Sequence, residues 1–293
     1  MQAPLVRRPA VAGRFYPAGA EALAHQLDEY LAPGPETPAG REPGEPLGCV
    51  VPHAGYMYSG QVAGAVYRQL PPLPSYIILG PNHFGRGAPL AMMSRGAWRT
   101  PLGEVPLDSE LGEAMRHGCH LLMEDPDAHQ TEHSLEVQVP FLQRRVGQFR
   151  MLAIAVGSVG YAALESLGHG VAHTVRKAQR PVLIIASSDM NHYEPDGITR
   201  EKDHKAIQRI LALDPDGLYD VLRREDISMC GYGPAIAMLT AAIELGASSA
   251  SLVKYATSAD TSGDRSAVVG YAGIIIYSRT TLNTIMTSHH DAS

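Results

Sequence analysis

Short, unbroken apolar runs punctuate the chain, and each stops at glycine, proline or a polar turn. Cys49-Val50-Val51, Tyr76-Ile77-Ile78-Leu79 and Val182-Leu183-Ile184-Ile185-Ala186 show no alternation with polar residues. A strand with one wet face alternates, whereas an unbroken run of this length reads as a strand covered on both faces. Strands are predicted near 48–52, 76–80, 88–93, 151–157, 182–187, 252–258 and 267–277. Between them, apolar residues recur at helical spacing. Helices are predicted near 20–31, 59–69, 107–116, 134–147, 159–178, 200–212, 215–224 and 233–245. Alternation of strand and helix predicts an α/β fold of three layers, a mostly parallel sheet with helices on both faces. "SLVKYATS" and "AVVGYAGIIIY" have no helix between them, so the sheet should be mixed, with antiparallel pairing at its C-terminal end.

The pattern is read as one domain over 1–293, with an exposed Pro/Gly-rich loop at 32–47 and a flexible tail at 282–293. A chain of 293 residues, 45% hydrophobic and 18% charged, can bury a sizeable core. The net charge of -6 and the absence of a Lys/Arg stripe argue against nucleic acid as a partner. No apolar run approaches the roughly 18 residues of a membrane span, and the N-terminus does not read as a signal peptide. Cys49, Cys119 and Cys230 are few, odd in number and far apart, which fits a reducing cytoplasm rather than a disulfide framework.

Candidate chemistry gathers just past the strand ends. His53 follows Val50-Val51-Pro52, His83 follows the run ending at Leu79, and Asp189 and His192 follow the run ending at Ala186. In open α/β sheets, ligands sit beyond the carboxyl ends of the strands. His53 and His83 could supply half of a metal's coordination sphere, or they could be ordinary loop-bonding histidines. Asp189 beside His192 suits a general base or a group that orients a metal ligand, and equally an Asx-turn.

Cys230 precedes "GYGPAIAML", in which Gly231, Gly233 and Pro234 suit a helix start. A helix N-terminus favours thiolate, which is a nucleophile and a soft metal ligand; a buried, inert thiol is the alternative. In "DAHQTEHSLEVQVPFLQ", Ser134 looks like an N-cap, and His129, Glu132, His133 and Glu136 gather at the helix start. The His-Glu-x-x-His spacing of zinc peptidases is absent. His133, and with it Glu136, is the favoured site candidate of that group. Nucleophile-elbow, phosphate-loop and dinucleotide-loop signatures are also absent.

Seven segments carry a resemblance: "RRPAVAGRFYPA", "VVPHAGYMYSG", "ILGPNHFG", "EHSLEVQVPFLQ", "SSDMNHY", "MCGYGPAIAML" and "VVGYAG". Their order over Arg7 to Tyr277 resembles that of Memo-like proteins, called in prokaryotes the AmmeMemoRadiSam system protein B group. The resemblance implies a fold like that of the class III extradiol ring-cleaving dioxygenases (LigB-like). It implies one mononuclear iron, Fe(II), or copper site at His53, His83 and Cys230. Asp189 and His192 would neighbour that pocket and His133 would form its rim. Extradiol dioxygenases complete their iron site with a carboxylate, so Cys230 is a departure. A thiolate there would favour Cu(I) or a redox-sensitive iron, and Glu136 or Asp189 could take its place.

Three functions follow as expectations. The first is a metal-binding redox protein in which Asp189, His192 and His133 act as acid–base or orienting groups, with His192 the proton acceptor. The second is a non-enzymatic pocket for a small-molecule or peptide ligand. The prokaryotic name implies AMMECR1-like and radical SAM protein partners. The third is a hydrolase or transferase with Cys230 as nucleophile and His192 as base.

Overall fold

The computed structural model describes residues 5–34 and 44–279. The tail at 282–293 and residues 35–43 of the predicted loop lie outside the described residues. Of the rest of that loop, Pro46 and Leu47 already belong to the strand Pro46–Val51.

Among the described residues the main sheet has nine strands. Its path runs His192–Glu194, Val268–Ser278, Pro46–Val51, Val182–Ser187, Ser75–Pro81, Arg150–Val156, Leu90–Met93, Met123–Glu124, and Ala247–Thr257 also pairs with Val268–Ser278. The four strands at the centre are parallel: Pro46–Val51 with Val182–Ser187, then Ser75–Pro81, then Arg150–Val156. Antiparallel pairing enters outside them, where Val268–Ser278 meets Pro46–Val51 and Leu90–Met93 meets Arg150–Val156. The sheet is therefore mixed, with the last two strands antiparallel as expected, although a one-turn helix, Ala259–Ser262, lies between them where none was predicted.

Both faces of the central strands are buried, and alternate residues divide between two cores. Ile77, Leu79, Leu152, Ile154, Ile184 and Ala186 pack with Leu164, Leu167 and Val171 of Tyr161–Lys177 and with Ile236 and Leu239 of Tyr232–Glu244. Tyr76, Ile78, Met151, Ala153, Leu183 and Ile185 pack on the other face with Leu23 and Leu27 of Ala20–Leu31, Val66 of Tyr56–Tyr67, and Phe141 of Gln138–Val146. This two-sided burial is why the runs lack alternation. It also makes the three layers: helices, sheet, helices.

Several features differ from the sequence expectation, among them the unpredicted short strands Met123–Glu124 and His192–Glu194 and the start of the strand predicted near 252–258, which lies at Ala247. A small sheet of Val6–Arg7, Ala97–Thr100 and Gly103–Pro106 was not predicted; its strands are two to four residues long, too short to carry a period. The helix predicted over 134–147 spans only Gln138–Val146. Ser134 does not cap it, because its hydroxyl donates to the Pro81 carbonyl at 3.1 Å. The bond ties an irregular segment across the end of the strand Ser75–Pro81. Gly80 permits the close approach, since a Cβ there would collide with Ser134 Oγ and Leu135.

Candidate metal centre

Three adjacent parallel strands end at one level. Val51 is in register with Ser187, and Leu79 with Ala186. The chain leaving them supplies His53, Asp189 and His83, so the strand ends act as a rigid mount for all three. A cavity of about 690 Å³ opens there, lined by His53, His83, His133, Asp189, His192 and Cys230. Phe15 and Tyr193 form part of its wall. Tyr193 is 78% exposed and holds a left-handed backbone, φ 61°, a conformation that costs a non-glycine residue about 1–3 kcal/mol.

The structure brings every sequence-predicted site residue except Glu136 to this cavity. One ligand atom from each of His53, His83 and His133 lies within 4.8 Å of the others, so these three could hold a single metal ion. The His83 and His133 rings stack, with centroids 4.6 Å apart and planes 19° apart. His53 stands edge-on to both, at 5.1 and 5.5 Å. Cys230 Sγ lies 3.2 Å from His53 Nε2, and Asp189 Oδ2 lies 4.0 Å from the same nitrogen. His133 thus stands level with His53 and His83 rather than at the rim, while Cys230 and Asp189 reach the group through His53.

Cys230 arrives just before the helix Tyr232–Glu244. Gly231 lets that turn press against the strand end, because a Cβ there would strike the Ser187 carbonyl oxygen and the Ser188 side chain. Asp189 is anchored by the His53 backbone N–H, which donates to Oδ1 at 2.7 Å. His192 is held from Ser228: its backbone N–H donates to Ser228 Oγ and its Nδ1 meets the Ser228 carbonyl, both at 2.9 Å. The nearest base to Cys230 is accordingly His53, not His192.

Glu136 turns away from the cavity and cannot replace Cys230 there. It is 1% exposed and accepts from the backbone N–H of Ala10 (2.8 Å) and Val11 (3.1 Å), from the Tyr16 hydroxyl and from the Arg7 guanidinium. The guanidinium also donates to the carbonyls of His129 (2.9 Å) and Glu132 (2.7 Å). The N-terminal segment is therefore clamped to the loop that presents His133.

Sequence reasoning assigned no role to Glu132, which is fully buried. It accepts from His83 Nδ1 at 2.9 Å, from the His83 backbone N–H at 2.7 Å and from the Ser134 backbone N–H at 2.8 Å. Burial opposes its ionisation, but the hydrogen bonds from His83 and Ser134 and the neighbouring imidazoles outweigh it and hold the carboxyl down to about 2. Its position just before His133 is the one signal the sequence offers.

Electrostatics make the imidazoles available as donors. Burial, reinforced by His133, His83 and His192, pushes His53 well below its ordinary value. Burial lowers His133 to about 4 against the pull of Glu132, and it lowers His192 as well. Neutral rings at pH 7 expose nitrogen lone pairs. Burial raises Asp189 to about 7 against the bonds from His53 and Ala54. Burial, with Asp189 beside it, pushes the Cys230 thiol up. Desolvation therefore overrides the expected preference for thiolate at the helix start. A cation at the cavity would reverse both of those shifts, since it favours the ionised forms of adjacent donors. Neutral imidazoles beside a thiol suit a borderline or soft metal ion, so the donor set fits.

No helix among the described residues is long and apolar enough to cross a membrane. A family model described as Memo-like protein matches residues 7–275. A MEMO1 family protein of Pyrobaculum aerophilum is 44% identical over 278 residues, covering 93% of this chain and 99% of its own length. One from Methanosarcina mazei is 46% identical over 272 residues, covering 92% of this chain and 99% of its own length. One from Methanopyrus kandleri is 44% identical over 279 residues, covering 92% and 98%. With its histidine-lined cavity at the ends of three parallel strands, the chain belongs to the Memo-like family.

Proposed function

We propose that this protein binds one iron or copper ion at the strand-end cavity and uses it for redox chemistry in a reducing, cytoplasmic setting. The observation that carries the reading is the convergence of three imidazoles within 4.8 Å, with a thiol 3.2 Å from one of them. His53 and His83 would hold the ion, with His133 or Cys230 as further donor. When bound, the metal would supply one-electron chemistry and polarise a ligand oxygen.

The chain's own contribution is binding and proton handling. His192 presents a lowered basicity and a ring fixed through Ser228, which suits it to take a proton from an acidic ligand group and release it readily. Asp189, raised to about 7, can hold or yield a proton near neutrality. Phe15 and Tyr193 offer apolar area to a small molecule.

A second reading keeps the pocket and drops the chemistry. Tyr193 and Phe84, next to His83, are 78% and 56% exposed. Large apolar side chains left in water beside a cavity support a ligand surface. A peptide, including one presented by an AMMECR1-like or radical SAM partner, would dock there. Binding that survives chelation and Cys230→Ser favours this reading.

Metal analysis of protein purified without an affinity tag tests the first reading. The wild type is expected to carry iron or copper, and His53→Ala/Cys230→Ala to lose it. Equal metal content in the two proteins would count against the proposal.

A further inference from the structure

The cavity imidazoles are backed by a layer of buried hydrogen-bonding groups, and the donor count in that layer has one solution around His53. The Pro52 carbonyl can only accept, so the Gln138 amide nitrogen must be the group that faces it, at 3.0 Å. That fixes the amide: Gln138 Oε1 accepts from the Tyr67 hydroxyl at 2.7 Å, and Nε2 spends its other hydrogen on Ser187 Oγ at 2.8 Å. The Ser134 carbonyl, also acceptor-only, takes the one hydroxyl hydrogen of Ser187 at 2.7 Å. Ser187 Oγ then has nothing left to donate. It faces His53 Nδ1 at 3.0 Å, so that nitrogen must carry the hydrogen. Ser187 and Gln138 are both fully buried, so water cannot rearrange the count.

The same conclusion holds for His83 by a simpler route. Both Glu132 oxygens serve as acceptors of a backbone N–H, Oε1 from Ser134 at 2.8 Å and Oε2 from His83 at 2.7 Å, and Oε1 lies 2.9 Å from His83 Nδ1. The side chain and the main chain of His83 are therefore gripped by one carboxylate.

We propose that Ser187 and Glu132 are the positioning residues of this centre: each takes the Nδ1 hydrogen of one imidazole, so that His53 and His83 both present an unprotonated Nε2 to the cavity. The neutral imidazole otherwise exchanges between two tautomers, one of which blocks the nitrogen that faces the ion. The proposal deepens the metal-binding reading and rests on it for its purpose, though the tautomer assignment stands without any metal. The two anchors also differ in kind. A neutral hydroxyl backs His53, whereas a full negative charge backs His83 and offsets part of a cation's charge inside the protein.

The test is long-range proton–nitrogen correlation spectroscopy of nitrogen-15-labelled, metal-free protein at pH 8, with Zn(II) affinity measured by chelator competition. In the wild type, both rings are expected to show a protonated Nδ1 and a bare Nε2. Ser187→Ala should turn the His53 signals into those of a tautomer mixture, leave His83 unchanged and weaken Zn(II) binding about 10–100-fold. Glu132→Gln can keep a carbonyl oxygen toward His83 Nδ1 and the Ser134 N–H but turns its amide NH2 against the His83 backbone N–H, so it should preserve the His83 tautomer while Zn(II) binding still weakens. A protonated Nε2 on either wild-type ring, or an unchanged His53 spectrum in Ser187→Ala, overturns the proposal. Wild-type protein with the expected tautomers but no Zn(II) binding would refute the metal reading and leave the tautomer assignment standing.

Discussion

Replacing Arg7 with alanine is expected to lower the unfolding free energy by about 3–5 kcal/mol, the cost of orphaning one member of a buried ion pair. Arg7 is 5% exposed and Glu136 is 1% exposed, so neither charge has access to water as compensation. Without the guanidinium, Glu136 keeps the Ala10 and Val11 N–H groups and the Tyr16 hydroxyl but loses Arg7 as its cationic partner. The carbonyls of His129 and Glu132 lose donors at the same time. The guanidinium also lies 4.3 Å from the Trp98 ring centroid, so packing is lost with the charge. The loop from His129 to Glu136 should loosen, and His133 with it. Chemical denaturation checks the stability; a loss below about 1 kcal/mol would show that the pair is not needed. An Arg7→Met/Glu136→Gln variant, which leaves no unpaired charge, should recover part of the loss.

The same clamp explains which parts of the site could be read from the sequence. His53, His83 and Asp189 were legible because a two-sided strand writes an unbroken apolar run, and its end is marked by proline or a polar turn. Cys230 was legible through the glycines and proline that start its helix. The position of His133 was not, because it rides on an irregular segment with no period. That segment is placed by Arg7, more than a hundred residues away in sequence, and by the Ser134 hydroxyl on Pro81. Ser134 resembles an N-cap locally, yet tertiary bonding claims its side chain. Ser187 and Gln138 carry no signature, and Glu132 carries only its place beside His133, since a hydrogen-bond partner across the fold leaves no spacing in the chain. The choice between thiolate and buried thiol at Cys230 was not legible for a related reason: dipole position is local, but desolvation, which favours the thiol, depends on the packed cavity.

The second large effect concerns pH and lies at Asp203, which accepts from the backbone of Asn191, next to the cavity residue His192. Burial raises its carboxyl to about 7, against bonds from the Tyr255 hydroxyl (2.7 Å) and the Asn191 backbone N–H (2.8 Å) and against the charge of Arg200; Glu194 adds to the rise. An acid whose folded value exceeds its unfolded one binds protons more tightly when folded. Its contribution to stability is therefore full below about pH 4, falls as pH rises through 4 to 7, and is flat above that. Three units at 1.36 kcal/mol each give a loss on the order of 4 kcal/mol.

The whole stability curve does not isolate this loss. The lowered histidines His53, His129 and His133 pull the other way, since the unfolded state binds their protons more tightly below about pH 6.5. Asp189, raised like Asp203, adds a loss of the same sign. The difference between wild type and Asp203→Asn cancels these common parts. In Asp203→Asn, Oδ1 can still accept from Asn191 and Nδ2 can donate to the Tyr255 oxygen. The variant is expected to gain on the wild type by about 4 kcal/mol between pH 4 and pH 8, measured by denaturant unfolding of metal-free protein. A difference that stays constant with pH would show that Asp203 remains ionised throughout.

The central claim is that residues distant along the chain meet around one ion, and anomalous scattering from metal-soaked crystals tests it most directly. With data collected at the iron and copper edges, the account predicts a single strong peak in the cavity. That peak should lie about 2.0–2.3 Å from a nitrogen of both His53 and His83, with the third protein donor from His133 or Cys230. Well-ordered soaked crystals with no peak there, or with their strongest peak on other residues, would contradict it.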